Sequence, residues 1–487
     1  MAKQKSIKIN FIMNIILTMS SFLFPLITFP YISRILLANG TGKVDFATSV
    51  INYFNMIAQL GIPTYGIRVC AQVRDDRQKL TRVAHELLII NLIMSIISYI
   101  ILFNAIQFIP RFHSDKELLM IISFTIILTS IGMEWLYKAL EQYTYITIRS
   151  IIFKFIALVA MFMLIHSQSD YVIYGAISIF ASSASNIFNF INAHKYIGFK
   201  PVGNYHFLKH LKPIFVFFGM ACATTVYTNL DTVMLGFMKS DVDVGYYNAA
   251  VKMKNIFVSV VTSLGTVLLP RASYYIKSGD RSSFNKVSKQ AMNVVVLISL
   301  PLVVYFFIYA KYGILLLSGK AFLNSVVPMR VIMPTIVLIG LSNITGIQIL
   351  VPLGYERIVL FSEVIGVLVD LVVNWLLIPY FGATGAAVGT LIAEFVVLLV
   401  QFPYARREVK NMFSNIKFYK FAIALSLATV SSIIVLYFAL PTFITLAISA
   451  ILFFGVYLVI LLLLKESMII KLYYDITSKF IKNRGEE

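Results

Sequence analysis

What this chain has least of is charge. Asp, Glu, Lys and Arg make up 13% of its 487 residues, about half the share usual in soluble domains. Acidic residues number only 22, against 39 Phe and 27 Tyr. A water-facing surface cannot be assembled from that stock, so a soluble enzyme or binding module is excluded. No long polar segment interrupts the chain, so no soluble domain is hidden in it. The two cysteines, Cys70 and Cys222, lie in or beside apolar runs and have no spaced partners, which argues against a disulfide framework or a Cys-based metal site. There is no HExxH, no phosphate-cradling glycine loop and no nucleophile elbow. His206 and His210 stand at i, i+4, but a metal site needs a third ligand and supporting partners. We therefore expect no enzyme, no catalytic residue, no metal and no cofactor beyond a coupling ion.

What is there is apolar surface. Hydrophobic residues reach 59%, and only an integral membrane protein fits. A transmembrane helix needs about 20 mostly apolar residues. Such runs centre near Leu23, Ile57, Ile96, Ile127, Leu158, Ile179, Thr225, Val258, Leu300, Ile339, Val369, Leu391, Ala428 and Phe454, an all-α polytopic fold of about fourteen spans. The basic start MAKQKSIKIN leads into a run too long for a signal peptide, so it reads as a retained first helix.

The net charge of +19 follows from topology. With both termini cytoplasmic, seven of the 41 Lys and Arg fall in outer segments: Arg34, Lys43, Arg111, Lys116, Lys239, Lys311 and Lys320. Five lie at membrane depth (Arg149, Lys154, Lys252, Lys254 and Arg330), and the remaining 29 are cytoplasmic. That bias is the positive-inside rule. It points to anionic lipid headgroups as partners rather than to nucleic acid. The outer loops are short, which speaks against an enzyme with an extracytoplasmic catalytic domain.

The chain also repeats itself. SRILLANGTGKVDFATSVINYFNMIAQLG (33–61) is similar to TVMLGFMKSDVDVGYYNAAVKMKNIFVSVVTSLG (232–265). In each, a span ends in Leu, a short loop carries Gly42 or Gly245, and the next span opens polar. IIFKFIALVAMFMLI (151–165) is likewise similar to VIGVLVDLVVNWLLI (364–378). Parallel repeats of six spans are a transporter signature, with the substrate site at the repeat interface. The expected division is a first six-helix lobe over 1–200, a second over 201–410, and two additional helices with a cytoplasmic tail over 411–487.

Polar residues at helical spacing mark the candidate site. Asn248, Lys252, Asn255, Ser259 and Thr262 share one face of the eighth span. Thr48, Asn52, Asn55 and Gln59 share one face of the second. The first span adds Asn10, Asn14, Thr18, Ser21 and Pro25. These stripes line a wet chamber in our reading, with Lys252, Arg34, Arg68, Arg149 and Arg330 as cations for an anionic substrate. Equal depth on antiparallel neighbours pairs Asp231 with Lys252 and Glu134 with Arg149. A charge at the bilayer centre costs about 2.5–3.5 kcal/mol, so such pairs also have a purely structural reading. The Asn and Gln stripes have one too, as interhelical hydrogen bonds. Glu363, Asp370 and Asn374 fall on one face of the eleventh span; with Asp231, the two carboxylates are candidates for proton or sodium coupling.

Several segments carry a family resemblance: FPLITFPYISRILLANGTGKVDFA, GIPTYGIRVCAQVRDD, GMEWLYKALEQYTYITIRSIIFKF, NLDTVMLGFMKSDVDVGYYNAAVKMK, LLPRAS and VPLGYERIVLFSEVIGVLVDLVVNWLLIPYFGATGAAVGTLIAE. In this order, across about the first 410 residues, they resemble bacterial Wzx-type repeat-unit flippases of the multidrug/oligosaccharidyl-lipid/polysaccharide exporter superfamily. The resemblance implies a MATE-like fold with two six-helix bundles facing each other in a V, plus two extra helices. It implies movement of an undecaprenyl-diphosphate-linked oligosaccharide across the bacterial cytoplasmic membrane by alternating access, for capsule, O-antigen or exopolysaccharide assembly, alongside a polymerase and other assembly proteins. On that reading the cations meet the diphosphate, and the amides and hydroxyls meet sugar hydroxyls. A drug or cation antiporter, a lipid II flippase, and a membrane polymerase or ligase are the alternatives.

Overall fold

The computed structural model describes residues 7–413 and 417–470. Among these residues every regular element is a helix and there is no strand. The physical reason is that a bilayer offers no water to unpaired backbone groups, and a helix satisfies them within one segment.

The chain divides into two compact units, Met1–Asn248 and Ala249–Glu487. The first contains α1 (Ile7–Gln59), α2 (Ile62–Gln72), α3 (Arg77–Phe108), α4 (Pro110–Ser114), α5 (Lys116–Gly132), α6 (Glu134–Ala139), α7 (Tyr143–Leu164), α8 (Tyr171–Ile179), α9 (Asn186–Asn192) and α10 (Leu208–Met238). The helix α11 (Asp241–Lys277) begins in the first unit and ends in the second. The second continues with α12 (Arg281–Ile308), α13 (Ala310–Leu317), α14 (Val326–Ile332), α15 (Thr335–Asn343), α16 (Glu356–Phe381), α17 (Ala383–Phe413), α18 (Phe418–Ile433) and α19 (Thr442–Leu463).

Among the described residues eleven helices are long and apolar enough to cross a membrane, or twelve when the bent pair Lys320–Ile332 and Thr335–Leu350 counts as one span. All fourteen expected centres fall within helical segments. The count is compatible with fourteen once α1 is divided at its break and α11 is included. That break sits at Leu37, whose φ of 56° and ψ of −170° leave the helical region. A non-glycine residue held there is strained and persists only where its surroundings enforce it.

Here the sequence expectation needs correcting. Gly42 and Gly245 do not lie in loops; both are inside helices. A Cβ on Gly42 would lie 1.7 Å from the Asp241 carbonyl oxygen, and one on Gly245 would lie 2.1 Å from that of Ala38. Each glycine therefore lets the start of one helix press directly on the other's backbone. The contact is reciprocal and joins the two sequence-similar segments within the first unit.

Charges fasten the same end. Arg111, on α4, pairs with Asp115 at 3.2 Å and with Asp241, while Lys43 stands 3.9 Å from Asp115. At the opposite end of α3, Asp76 caps the helix by accepting from the Gln78 and Lys79 amides, each at 3.0 Å. The Lys79 amide, and then the Lys79 ammonium at 3.1 Å, hold the Asp76 carboxyl below its ordinary range. Nearby, Arg74 joins Glu141 at 2.8 Å.

Apolar packing follows the helices. Ile62, Leu80, Leu87, Trp135 and Leu136 form one core where α2, α3 and α6 meet. Ile32, Leu36, Ala157, Met161 and Ile177 join α1 to α7 and α8. In the second unit, Tyr305, Phe421, Phe453 and Tyr457 fix α18 and α19 on α12, and the Tyr305 hydroxyl bonds Leu446 O and Ser449 Oγ, each at 2.9 Å.

Candidate functional site

Within the first unit, the second half of α1, the start of α2 and the middle of α10 line an open cavity of about 360 Å³. Its polar lining comes from Asn52, Asn55 and Gln59 on α1, Thr64 on α2, and Thr225, Thr228 and Asn229 on α10; no lining residue is charged. The helical repeat explains the first set, because steps of three and four residues keep side chains on one face. Gly61, with φ of 73°, turns the chain at the foot of the cavity, and a Cβ there would meet the Phe218 amide nitrogen at 2.4 Å.

The amides are oriented by bonds on their far side. Asn52 Nδ2 donates to Asn229 Oδ1 at 3.1 Å and so bridges α1 to α10. Asn55 Oδ1 accepts from Thr129 Oγ1 at 2.8 Å, and Gln59 Nε2 donates to Thr129 Oγ1 at 3.2 Å and Ser130 Oγ at 3.0 Å. An amide carries both a donor and an acceptor. These bonds fix each side chain by one end while leaving Asn55 an NH2 group and Gln59 a carbonyl oxygen. Such a lining offers paired donors and acceptors to neutral hydroxyls and no counter-charge to an organic cation. A larger cavity, about 720 Å³, lies where the end of α3 meets the start of α5, away from the polar stripes.

The structure brings together only part of the predicted set. Asn52, Asn55 and Gln59 meet in the cavity. Asn248 accepts from Thr232 Oγ1 at 3.3 Å, and its buried Nδ2 has no partner among the described residues. Asp231, 7% exposed, accepts from the Tyr247 hydroxyl. Arg34 is exposed and donates to Pro30 O, and Arg68 is exposed on α2. In the second unit Lys252 is half-buried and Asn255 exposed. Arg330 donates to Phe307 O at 3.1 Å and lies 5.9 Å from that residue's ring centre.

Two expectations are overturned. Among the described residues Glu134 pairs with Lys138 at 2.9 Å rather than with Arg149. Arg149 is 9% exposed and donates to Ser185 O at 2.7 Å and Asn186 Oδ1 at 3.2 Å. Equal depth does not make a pair, because rotation about α7's axis aims the guanidinium at α9. The second concerns α16: Asp370 and Asn374 are buried, with Asn374 Nδ2 donating to Asp370 Oδ1 at 3.2 Å, whereas Glu363 is exposed. Gly389 on α17 makes the burial possible, since a Cβ there would lie 2.2 Å from Asn374 Oδ1.

Sequence reasoning also missed a buried network. His210 Nε2 lies 2.7 Å from Glu86 Oε2, and its Nδ1 lies 2.7 Å from the Tyr65 hydroxyl. Lys209 stands 3.1 Å from Glu86, whose other oxygen accepts the His206 amide at 2.6 Å. Glu86 and His210 are fully buried. The His206/His210 spacing was visible, but both ring nitrogens of His210 serve this network. The signal for it is Glu86 in VAHELL, the one acid of α3.

Long apolar helices around a neutral, hydrogen-bonding cavity define the class as a polytopic helical membrane protein. The chain belongs to the polysaccharide biosynthesis protein family, whose model matches residues 7–276; a second model, MatE, matches residues 217–376. It is 25% identical over 419 residues to a protein of Escherichia coli (strain K12) named "Putative O-antigen transporter", covering 83% of this chain and 97% of that one. A Shigella dysenteriae protein of the same name is 23% identical, covering 78% and 95%. In fold the chain is similar to the lipid II flippase MurJ in an inward closed conformation, with TM-score 0.71 and 16% identity over 94% of this chain and all of that one. It is also similar to an inward-facing multidrug resistance MATE family transporter of the MOP superfamily, with TM-score 0.62 and 14% identity over 83% and 99%. In fold the chain is a MATE-like multi-pass membrane protein.

Proposed function

We propose that the chain is a flippase that carries an undecaprenyl-diphosphate-linked oligosaccharide repeat unit across the bacterial cytoplasmic membrane, for O-antigen, capsule or exopolysaccharide assembly. The observation that carries this reading is the neutral cavity of Asn52, Asn55, Gln59, Thr225, Thr228 and Asn229. Sugar hydroxyls both donate and accept, and fixed amides match them in both roles. Its volume lies at the lower end of the ~300–1,000 Å³ range of ligand sites, which suits part of an oligosaccharide rather than all of it. A drug cation finds no carboxylate there.

The diphosphate needs positive charge, and Lys252, Arg330, Arg34 and Arg68 are the cations offered to it in this reading, with Arg149 engaged structurally. The Lys and Arg bias supports a topology with both termini in the cytoplasm. Coupling to protons or sodium falls to Asp231 or Asp370, and a polymerase receives the delivered unit. A deletion strain tests the proposal: the lipid-linked repeat unit accumulates in the inner leaflet, protected from membrane-impermeant reagents, and surface polysaccharide is lost. Lys252→Ala fails to restore export at normal protein levels. Lysis on depletion, with peptidoglycan precursor accumulating instead, moves the assignment to lipid II. Drug resistance with unchanged surface polysaccharide moves it to an antiporter.

A further inference from the structure

We propose that Lys154 is a headgroup-positioning residue: α7 delivers its ammonium to the polar face of α1, where it takes a phosphate oxygen of a lipid headgroup. This deepens the function proposed above and rests on it, since the headgroup meant is the diphosphate of the carried lipid.

Lys154 Nζ donates to Ser20 Oγ at 2.9 Å and to Ser21 Oγ at 3.0 Å. Both partners are neutral. Among the described residues no carboxylate lies within 4.0 Å of it, and Glu134, the acid whose field reaches it, is held by Lys138 at 2.9 Å. Lys154 sits near the midpoint of Tyr143–Leu164, about 15 Å from either helix end at 1.5 Å per residue. That is too deep for its stem to snorkel to either membrane surface.

An unmatched cation at this depth is costly, and two hydroxyls offset only part of that cost. An ammonium has three donors; the serines take two and leave one. Ser21 belongs to the stripe Asn10, Asn14, Thr18, Ser21 and Pro25, of which Asn10 is buried and the other four are exposed. Polar residues within membrane spans almost always face the bundle interior or a water-filled cavity rather than lipid, and this stripe fits that rule. The remaining donor therefore borders a face that an anionic headgroup can enter. Phosphate oxygens suit an ammonium as a point charge, and release of the headgroup restores the serine-held state.

The test uses the purified full chain in nanodiscs, with undecaprenyl diphosphate as probe and phosphatidylglycerol and inorganic pyrophosphate as comparisons. Lys154→Gln should weaken undecaprenyl diphosphate binding at least tenfold while leaving phosphatidylglycerol binding within twofold. Lys154→Arg, which keeps the charge, should stay within about threefold of the parent and exclude misfolding as the cause. Pyrophosphate binding that falls in parallel with the lipid assigns the contact to the phosphates. Unchanged undecaprenyl diphosphate binding by Lys154→Gln overturns the inference alone, and so does an equal loss for phosphatidylglycerol. Absence of undecaprenyl diphosphate binding by the parent protein overturns the functional reading beneath it.

Discussion

Replacing Gly42 by Ala is the most direct test of how the first unit is held together. The added Cβ would stand 1.7 Å from the Asp241 carbonyl oxygen and within 2.9 Å of the Gly245 nitrogen. Contacts below 3.0 Å are essentially never adopted, so α1 and the start of α11 must separate by about 1.3 Å. The obstacle is backbone on both sides, and no rotamer change relieves it. Overpacking typically costs about 1–3 kcal/mol, and a backbone clash belongs at the top of that range. Any shift of the start of α11 also disturbs the Arg111–Asp241 pair, which ties α4 to that same end. The expected result in detergent is a lower apparent Tm and loss of export in cells, with Gly245→Ala behaving alike. Gly219→Ala is the control, because nothing lies within 4 Å of its new Cβ; it should be neutral or stabilise by about 0.5–1 kcal/mol through reduced backbone freedom. A Gly42→Ala protein with parental Tm and parental export would refute the claim that the glycine pair sets this helix approach.

Three other outcomes are expected. Asn52→Leu and Asn229→Leu each break the bridge across the cavity and remove hydroxyl-binding capacity, so export should fall while undecaprenyl diphosphate binding persists; equal loss of both would mean that the amides serve packing alone. Glu86→Gln leaves Lys209 and His210 without their shared carboxylate, and losing hydrogen bonds to a charged group costs about 1.5–3 kcal/mol; a Tm within 1 °C of the parent would contradict that role. Asp76→Ala should speed amide exchange at Gln78 and Lys79 at neutral pH. Because the folded carboxyl titrates below its ordinary range, the parent's cap is complete above the ordinary aspartate value and fades only as pH falls through the lowered one. Protection that faded on raising the pH instead would reverse the sign of this linkage.

The sequence by itself determined the class, the spans and one face of the site. Long apolar runs admit only helices in a bilayer, and that rule needs no knowledge of neighbours, so every expected centre falls in a helix. The Asn52, Asn55, Gln59 stripe was legible for the same reason: helical spacing is local geometry. What touches that stripe was not. The bond from Asn52 to Asn229, the Glu86–His210 pair, the Arg111–Asp241 pair and the Lys154–Ser20 contact each join residues more than 120 positions apart. Nothing in either local pattern names the other member. Depth along a helix can be counted from a turn, which is why Glu134 and Arg149 looked like partners. Rotation about the helix axis is set by packing against every neighbour at once, and that rotation sends Arg149 to Asn186 and Lys154 to the serines of α1. The glycines show the same division. Their recurrence at matching positions was visible in the chain, but only the tertiary structure presses Gly42 and Gly245 onto each other's helices, because close backbone approach is a property of two segments and not of one.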